Sequence, residues 1–486
     1  MSSPPSSTPL DRARTKAYWR LLPLLFACYV IAYIDRGNVG FAKLRMQEDL
    51  HGLGFTESVL GFGMGIFFVG YLVLEIPGTL LVERWSARKW ISRIMISWGL
   101  VAAMTAFVHY RIPGVTGPSE SMLAGLAKLM EGLGWDASGL KQPGSVYVFQ
   151  FWAIRFLLGV AEAGFYPGVI VYLPHWFPRR DRSRALAWFF VGTPVAQVLG
   201  PPVSALMIDV GVGDVPKLLG LVGWQWIFIF WAIPALILGV VVLAKLTDWP
   251  REALWLTEEE RTALQDELDR ERAEDGARGH MTVWQALSNP KILALAAAYF
   301  FVVTGNYGIE LYMPSILNDW YDLDYKKIAL LVVIPPLGSV IGQLFIGWSS
   351  DRMDERRWHA ALPIFLGALA LTLVAIQGNP AWLTVLLFFV AMMGLKAYLP
   401  AFWALPNLLM TRSAAAASIG LINSFGNLGG MAGPTILGVL KQNTDSYQLG
   451  IWILSGSMIV SAMIIFRLGI GRKPAPAAEP AVAAEV

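Results

Sequence analysis

The chain has 486 residues, 55% of them hydrophobic and only 15% charged, with a mean hydropathy of +0.52. Globular domains carry about 25% charged residues, so these values exclude a soluble protein and leave a polytopic membrane protein. The net charge of +3 excludes little, because in a membrane chain the placement of Lys and Arg matters more than their sum.

In chain order, residues 1–18 form a polar tail with no small-residue cleavage site behind it, so no removable signal peptide is expected. Apolar runs of about 18 or more residues cross a bilayer as helices. Six spans are predicted over residues 19–41, 59–82, 90–110, 146–172, 185–208 and 224–246. Six more follow over 292–317, 328–348, 360–376, 382–405, 414–440 and 449–468. The expected fold is therefore all-α: twelve transmembrane helices in two six-helix bundles, 19–246 and 291–470. A cytoplasmic linker, 247–290, joins them, and an Ala/Pro/Glu-rich tail, 471–486, reads as disordered.

The connectors set the orientation. In and beside those on the N-terminal side stand 25 Lys and Arg, against 9 on the other side. The positive-inside rule then puts both termini in the cytoplasm, in a cell inner membrane. In the linker, Thr257 and Glu260 have capping-box spacing and predict a short charged helix over about 258–274, a connector without catalytic content. In the outward loop 111–145, Met122, Leu126, Leu129 and Leu133 recur at helical spacing. That loop reads as an insertion without a role, or as an amphipathic helix on the membrane surface.

Charges inside the spans are the candidate chemistry. A charge near the bilayer centre costs roughly 2.5–3.5 kcal/mol on insertion scales, so each needs a partner, a water-filled cavity or a function. Asp35 and Arg36 stand side by side in the first span, behind Tyr33-Ile34. They are either an anion- and proton-binding pair or a structural ion pair. In the fourth span Arg155 and Glu162 are seven residues apart on one helix face. Arg155 fits a carboxylate ligand, since guanidinium presents a planar donor fork, and Glu162 fits a proton carrier; the alternative is a structural pair within or between helices. Glu75, before Pro77, faces a cavity or caps a distorted turn; Glu310 suits a gate or binding role near the outer end of its span. Lys396 is the candidate for a substrate-specific cation. The cavity charges sum to three cations (Arg36, Arg155, Lys396) against four acids (Asp35, Glu75, Glu162, Glu310), so an entering anion is favoured when acids are protonated. Tyr33, Tyr71, Gln197, Asn423 and Asn427 offer neutral hydrogen bonds to a ligand or between helices, and the second use is preferred for Asn427.

The halves repeat one another. Glu83-Arg84 followed by Arg88-Lys89 closes the second span, and Asp351-Arg352 followed by Arg356-Arg357 closes the eighth. Further motifs are Tyr33-Ile34-Asp35-Arg36, Tyr71-x-x-x-Glu75-Ile76-Pro77-Gly78, and Arg155 to Gly159 continuing through Glu162 to Pro167-Gly168. Phe402-Trp403-Ala404-Leu405-Pro406 and the stretch from Gly420 through Asn423 and Asn427 to Gly430 complete the set. In that order, over nearly the whole chain, they resemble the major facilitator superfamily, and within it the anion:cation symporter family of tartrate, phthalate, hydroxyphenylacetate and sugar-acid permeases.

The resemblance implies proton-driven import of a small organic carboxylate by alternating access. It implies Arg36 and Arg155 as anion ligands, Asp35 and Glu162 as proton carriers, and Glu83/Arg84 with Asp351/Arg352 as a cytoplasmic gating latch. An exchanger or facilitator on the same fold is the alternative, and a transporter-like sensor is a more distant one. With no nucleophile–base pair, an enzyme is not expected. Cys28 is the only cysteine and the five histidines are scattered, so no metal and no cofactor are expected. The expected partners are the carboxylate, protons and the lipid bilayer, without nucleic acid, for a chain working as a monomer.

Overall fold

The computed structural model describes residues 8–84, 86–111, 120–132, 144–276, 288–376, 378–409 and 412–470. These form helices α1 (Pro9–Leu50), α2 (Glu57–Arg84), α3 (Ala87–Thr105), α4 (Glu120–Gly132), α5 (Ser145–Glu162), α6 (Phe165–Tyr172), α7 (Arg179–Phe190), α8 (Gly192–Ile208) and α9 (Gly223–Lys245). The linker carries α10 (Glu258–Gly276). Then come α11 (Pro290–Tyr321), α12 (Tyr325–Leu331), α13 (Ile334–Met353), α14 (Arg357–Val374), α15 (Ala381–Ala397), α16 (Leu399–Leu409), α17 (Arg412–Thr444) and α18 (Gln448–Arg467). Among the described residues, ten helical stretches are long and apolar enough to cross a membrane. The tails 1–7 and 471–486 lie outside the described residues.

The first helix is much longer than the apolar run that predicts it. Thr8 caps it, its hydroxyl accepting the Asp11 amide at 3.2 Å, and Pro9 takes the first helical position. At the other end the helix continues past residue 41 to Leu50, and this buries Lys43 at 1% exposure. Lys43 lies two residues past the first predicted span, yet it is part of the helix and buried.

Four predicted spans are interrupted, where single helices were expected. The breaks fall at Ala163–Gly164, Val191, Val332–Val333 and Tyr398. Each has a proline just downstream: Pro167, Pro194, Pro335 with Pro336, and Pro400. Proline has no N–H for the carbonyl four residues back, and its ring crowds that carbonyl. The first break also needs a glycine, because Gly164 sits at φ +85°, a region L side chains avoid.

Packing follows two sets of neighbours. α2 lies on α5 and α3 on α9, while α1 is held by α8 and α9. In the second half α11 packs on α17 and α18, and α15 on α13 and α14. Gly159 of α5 shows why small residues stand at these seams: a side-chain carbon there would collide with the Phe67 carbonyl of α2. The capping box of α10 forms as predicted, with the Thr257 amide donating to Glu260 at 3.0 Å and the Glu260 amide to Thr257 at 3.3 Å. In the loop helix α4 Leu123, Ala127 and Met130 are buried, and Leu129 of the predicted stripe is 63% exposed; the side chains of Met122 and Leu126, and Leu133, lie outside the described residues.

The halves meet tightly on the face away from the termini. There α2 crosses α17 at Gly61, where a side-chain carbon would lie 2.6 Å from the Pro434 carbonyl. Beside it Lys43 Nζ donates to Glu57 Oε2 at 2.5 Å and sits 3.7 Å from the centre of the Tyr312 ring. Tyr447 donates to the other Glu57 oxygen at 3.3 Å, and Tyr312 to the Glu57 carbonyl at 3.3 Å. This seal joins α1 and α2 to α11 and to Tyr447 at the start of α18.

Candidate functional site

Below that seal, between the halves, lies a cavity of about 730 Å³ that extends toward the face of the termini. Three of the four helix breaks border it. Glu162, Phe165 and Tyr166 come from the first, Phe190 and Thr193 from the second, and Lys396, Tyr398 and Leu399 from the break at Tyr398. The fourth break contributes Val332 and Pro336 to a smaller cavity, of about 70 Å³, on the other side of Tyr33. A broken helix frees backbone groups and side chains at mid-depth, which is tolerated where they line a cavity.

The N-terminal wall centres on Arg36. It donates to Glu162 Oε1 and, through Nη1, to the Tyr307 hydroxyl at 3.1 Å across the divide. Its guanidinium lies 5.2 Å from the Tyr71 ring centre, 5.4 Å from Phe67 and 5.9 Å from Tyr33, a cage of π-faces that suits a planar cation. Arg36 Nε and Glu162 Oε2 are buried without a partner. Buried orphans of this kind usually cost about 1–3 kcal/mol each, so the pair is primed for a further ligand.

Asp35 and Arg155 lie behind this wall rather than in it. Asp35, 1% exposed, accepts from Trp98 Nε1 at 3.0 Å and Asn38 Nδ2 at 3.2 Å. Arg155, expected to bind the anion directly, is also 1% exposed and does not line the cavity. Its Nε points to the Gly63 carbonyl at 3.4 Å and its guanidinium lies 5.3 Å from the Phe67 ring centre, with Nη1 unpartnered. The break at Ala163 explains the separation: Glu162 ends α5 next to the cavity, and Arg155, two turns back, is covered by α2.

On the C-terminal wall Lys396 Nζ stands 3.4 Å from the Tyr33 hydroxyl and 3.5 Å from Glu310 Oε2. Its ammonium is 5.9 Å from the Tyr33 ring centre, the same distance as the Arg36 guanidinium. Two 5.9 Å legs meeting at one ring bound the separation of the two cations at 11.8 Å. Asn423 and Asn427 also border the cavity, and both donate to Glu75, Asn427 at 2.6 Å, tying α2 to α17. Tyr33, Tyr71, Arg36, Glu162, Lys396 and Asn423 therefore converge, whereas Gln197 and Glu310 line the smaller cavity.

The side chains of Glu83 and Arg84 lie outside the described residues. Asp351 accepts from Arg356 at 2.6 Å and Arg352 lies 5.5 Å from the Trp348 ring centre, so both stay within their own half. Sequence reasoning missed Lys43, Glu57, Tyr307, Asn306 and Trp98. No spacing pairs Lys43 with Glu57; Trp98 carries no signal beyond its place in an apolar run. Among the described residues no cluster of three or more His, Cys, Asp or Glu side chains is placed to hold a metal.

A helical membrane protein with a polar, charge-bearing cavity between two sets of helices is built to carry a small solute. The chain belongs to the Major Facilitator Superfamily, whose model matches residues 25–434 and 328–484. It is 37% identical over 454 residues to an Agrobacterium vitis protein assigned by name to tartrate transport, covering 93% of this chain and 94% of that one. It is 30% identical over 468 residues to the inner membrane transport protein RhmT of Escherichia coli K12, covering 96% and 97%. Among solved structures it resembles the inward-open xylose transporter XylE from E. coli with a TM-score of 0.67 over 94% of this chain and 97% of that one; at 15% identity this is a likeness of fold. The protein is a membrane transporter and not an enzyme.

Proposed function

We propose that the protein imports a small organic carboxylate by proton symport, with the Arg36–Glu162 pair at the centre of the mechanism. The observation that carries this reading is that pair's incompleteness: a guanidinium N–H and a carboxylate oxygen, both buried at the cavity wall, have no partner. Protonation of Glu162 releases its hold on Arg36, and the guanidinium fork then takes the substrate carboxylate in two parallel hydrogen bonds. Lys396, Tyr33, Tyr71 and Asn423 complete the ligand set from both walls. Arg155 acts from behind, its positive charge facing Asp35 and Glu162, and Asp35 is the second proton carrier. The name of the Agrobacterium relative makes tartrate the first carboxylate to try.

The transporter works by alternating access between bundles at 19–246 and 291–470, each with six spans, with both termini cytoplasmic, in the inner membrane, as a monomer. The 25-to-9 bias of Lys and Arg supports the orientation. The cavity's extension toward the face of the termini supports an inward-facing state, in which the Glu83/Arg84 and Asp351/Arg352 latch is undone.

Uptake of labelled L-tartrate and a panel of mono- and dicarboxylates into proteoliposomes tests the proposal. Accumulation is expected to follow an imposed inward proton gradient and to collapse with a protonophore. Equal uptake with and without the gradient sinks proton coupling and leaves exchange or facilitation.

A further inference from the structure

We propose that the small cavity beyond Tyr33 is a water-filled antechamber from which Glu310 takes up a proton, and that this protonation releases Lys396 to the substrate anion. This rests on the proton–carboxylate symport reading and adds a third carboxylate, in the other half of the molecule. The cavity's volume of about 70 Å³ exceeds the ~10–15 Å³ that one water requires. Its walls ask for water: Gln197 Nε2 from α8 and Asn38 Oδ1 from α1 are buried and unpartnered, and both residues line it. Ser204 and Glu310 line it too.

Glu310 stands at the partition between the two cavities. One of its oxygens, Oε2, receives three long contacts: Asn306 at 3.3 Å, Tyr33 at 3.4 Å and Lys396 at 3.5 Å. Tyr33 borders both cavities, and Lys396 borders only the larger. The ionisable groups that face Glu310 are Tyr33 on α1 and Lys396 on α15; α8 brings Gln197 and Ser204, the break before α13 brings Val332, and α13 brings Pro336, none of which titrates. A carboxylate held by one ammonium at 3.5 Å is weakly neutralised, and the same ammonium is wanted by an anion in the large cavity. The two demands alternate. A hydronium proton passes from the antechamber water to the Glu310 carboxylate, the ion pair dissolves, and Lys396 turns its charge to the substrate. On substrate release Glu310 returns the proton to water and recovers Lys396. Proton and anion thus bind together without touching.

Two measurements test this. Infrared difference spectra of the ligand-free protein between acid and neutral pH should contain a carboxylic-acid C=O band that is missing from Glu310→Gln. Ala196→Leu, which fills the antechamber, should retain the band but slow its appearance after a pH jump. For L-tartrate, affinity should weaken about tenfold per pH unit for each linked proton, and Glu310→Gln should flatten that slope by one such decade. Spectra of Glu310→Gln that match the wild type, or a full wild-type slope in that variant, overturn the antechamber. Loss of gradient-driven uptake in the wild type overturns the symport reading itself, so the two failures are distinguishable.

Discussion

Two buried ion pairs stand in the path between the halves, and they are built to opposite ends. Lys43–Glu57 in the far-face seal is satisfied: one Glu57 oxygen takes the ammonium, the other takes Tyr447, and the Tyr312 ring covers the charge. Arg36–Glu162, at the cavity wall, leaves an N–H and an oxygen unmet. Both pairs are desolvated, so the difference lies in saturation rather than depth. A saturated pair has nothing to offer a ligand and serves as a joint; an unsaturated one stores demand that only a ligand or a proton meets.

The largest effect is expected at the joint. Removing one partner of a buried pair leaves an uncompensated charge at a cost of about 3–5 kcal/mol. Lys43→Met should therefore lower thermal stability sharply and raise labelling of a cysteine introduced near residue 57 from the outside. Unchanged melting and labelling would mean that the seal rests on helix packing alone. At the wall, Arg36→Lys keeps the charge and loses the fork, so carboxylate affinity should fall about 10- to 100-fold, some 1.4–2.7 kcal/mol, the worth of a charge-assisted hydrogen bond. Binding calorimetry with the best substrate checks it, and wild-type affinity would reduce Arg36 to a strut. Arg155→Lys, behind the wall, should cost less affinity than Arg36→Lys; the reverse order would return Arg155 to direct contact.

How much of this contrast is legible in the sequence depends on what each residue's role requires. Apolar length and the placement of Lys and Arg are read directly, and so are the helical class and the expected orientation. The charges in apolar runs, Asp35, Arg36, Glu162 and Lys396, announce themselves because the bilayer makes them expensive. Lys43 does not, since it lies just past an apolar run and its burial comes from α1 continuing to Leu50. The helix breaks are half legible. Pro167, Pro194, Pro335 and Pro400 follow breaks, yet Pro23 and Pro314 sit inside unbroken helices. Whether a freed carbonyl is satisfied by its surroundings decides the outcome, and that is tertiary information. The separation of Arg155 from the cavity is lost for the same reason: seven-residue spacing gives a shared face only while the neighbours leave that face open.

Smaller effects belong to contacts that tie the halves without being saturated or starved. Asn427→Ala removes one of two amides on Glu75 and should cost about 0.6 kcal/mol, the mean for an interhelical hydrogen bond in a membrane. A drop of several kcal/mol in unfolding experiments would instead make Glu75 a third critical charge. The smallest effect lies at the water's edge, where α10 docks on α1. There Glu260 accepts from Lys16 Nζ at 2.7 Å and Arg12 Nε at 3.4 Å. Burial pushes its carboxyl up, but the hydrogen bonds from Lys16, the Thr257 amide and Arg12 outweigh it and hold the group below the ordinary 4.5. A depressed carboxyl stabilises the fold fully above about pH 4.5 and loses that contribution as pH falls through its lowered value. Because the basic partners are 43% and 44% exposed, the docking should be worth under about 1 kcal/mol. Hydrogen exchange of α10 amides should therefore be flat from pH 7 to 5, after correction for intrinsic rates, and quicken below 4.5 in the wild type. Glu260→Gln should show raised exchange at every pH and no such step; a step that persists in this variant would assign the docking to another acid.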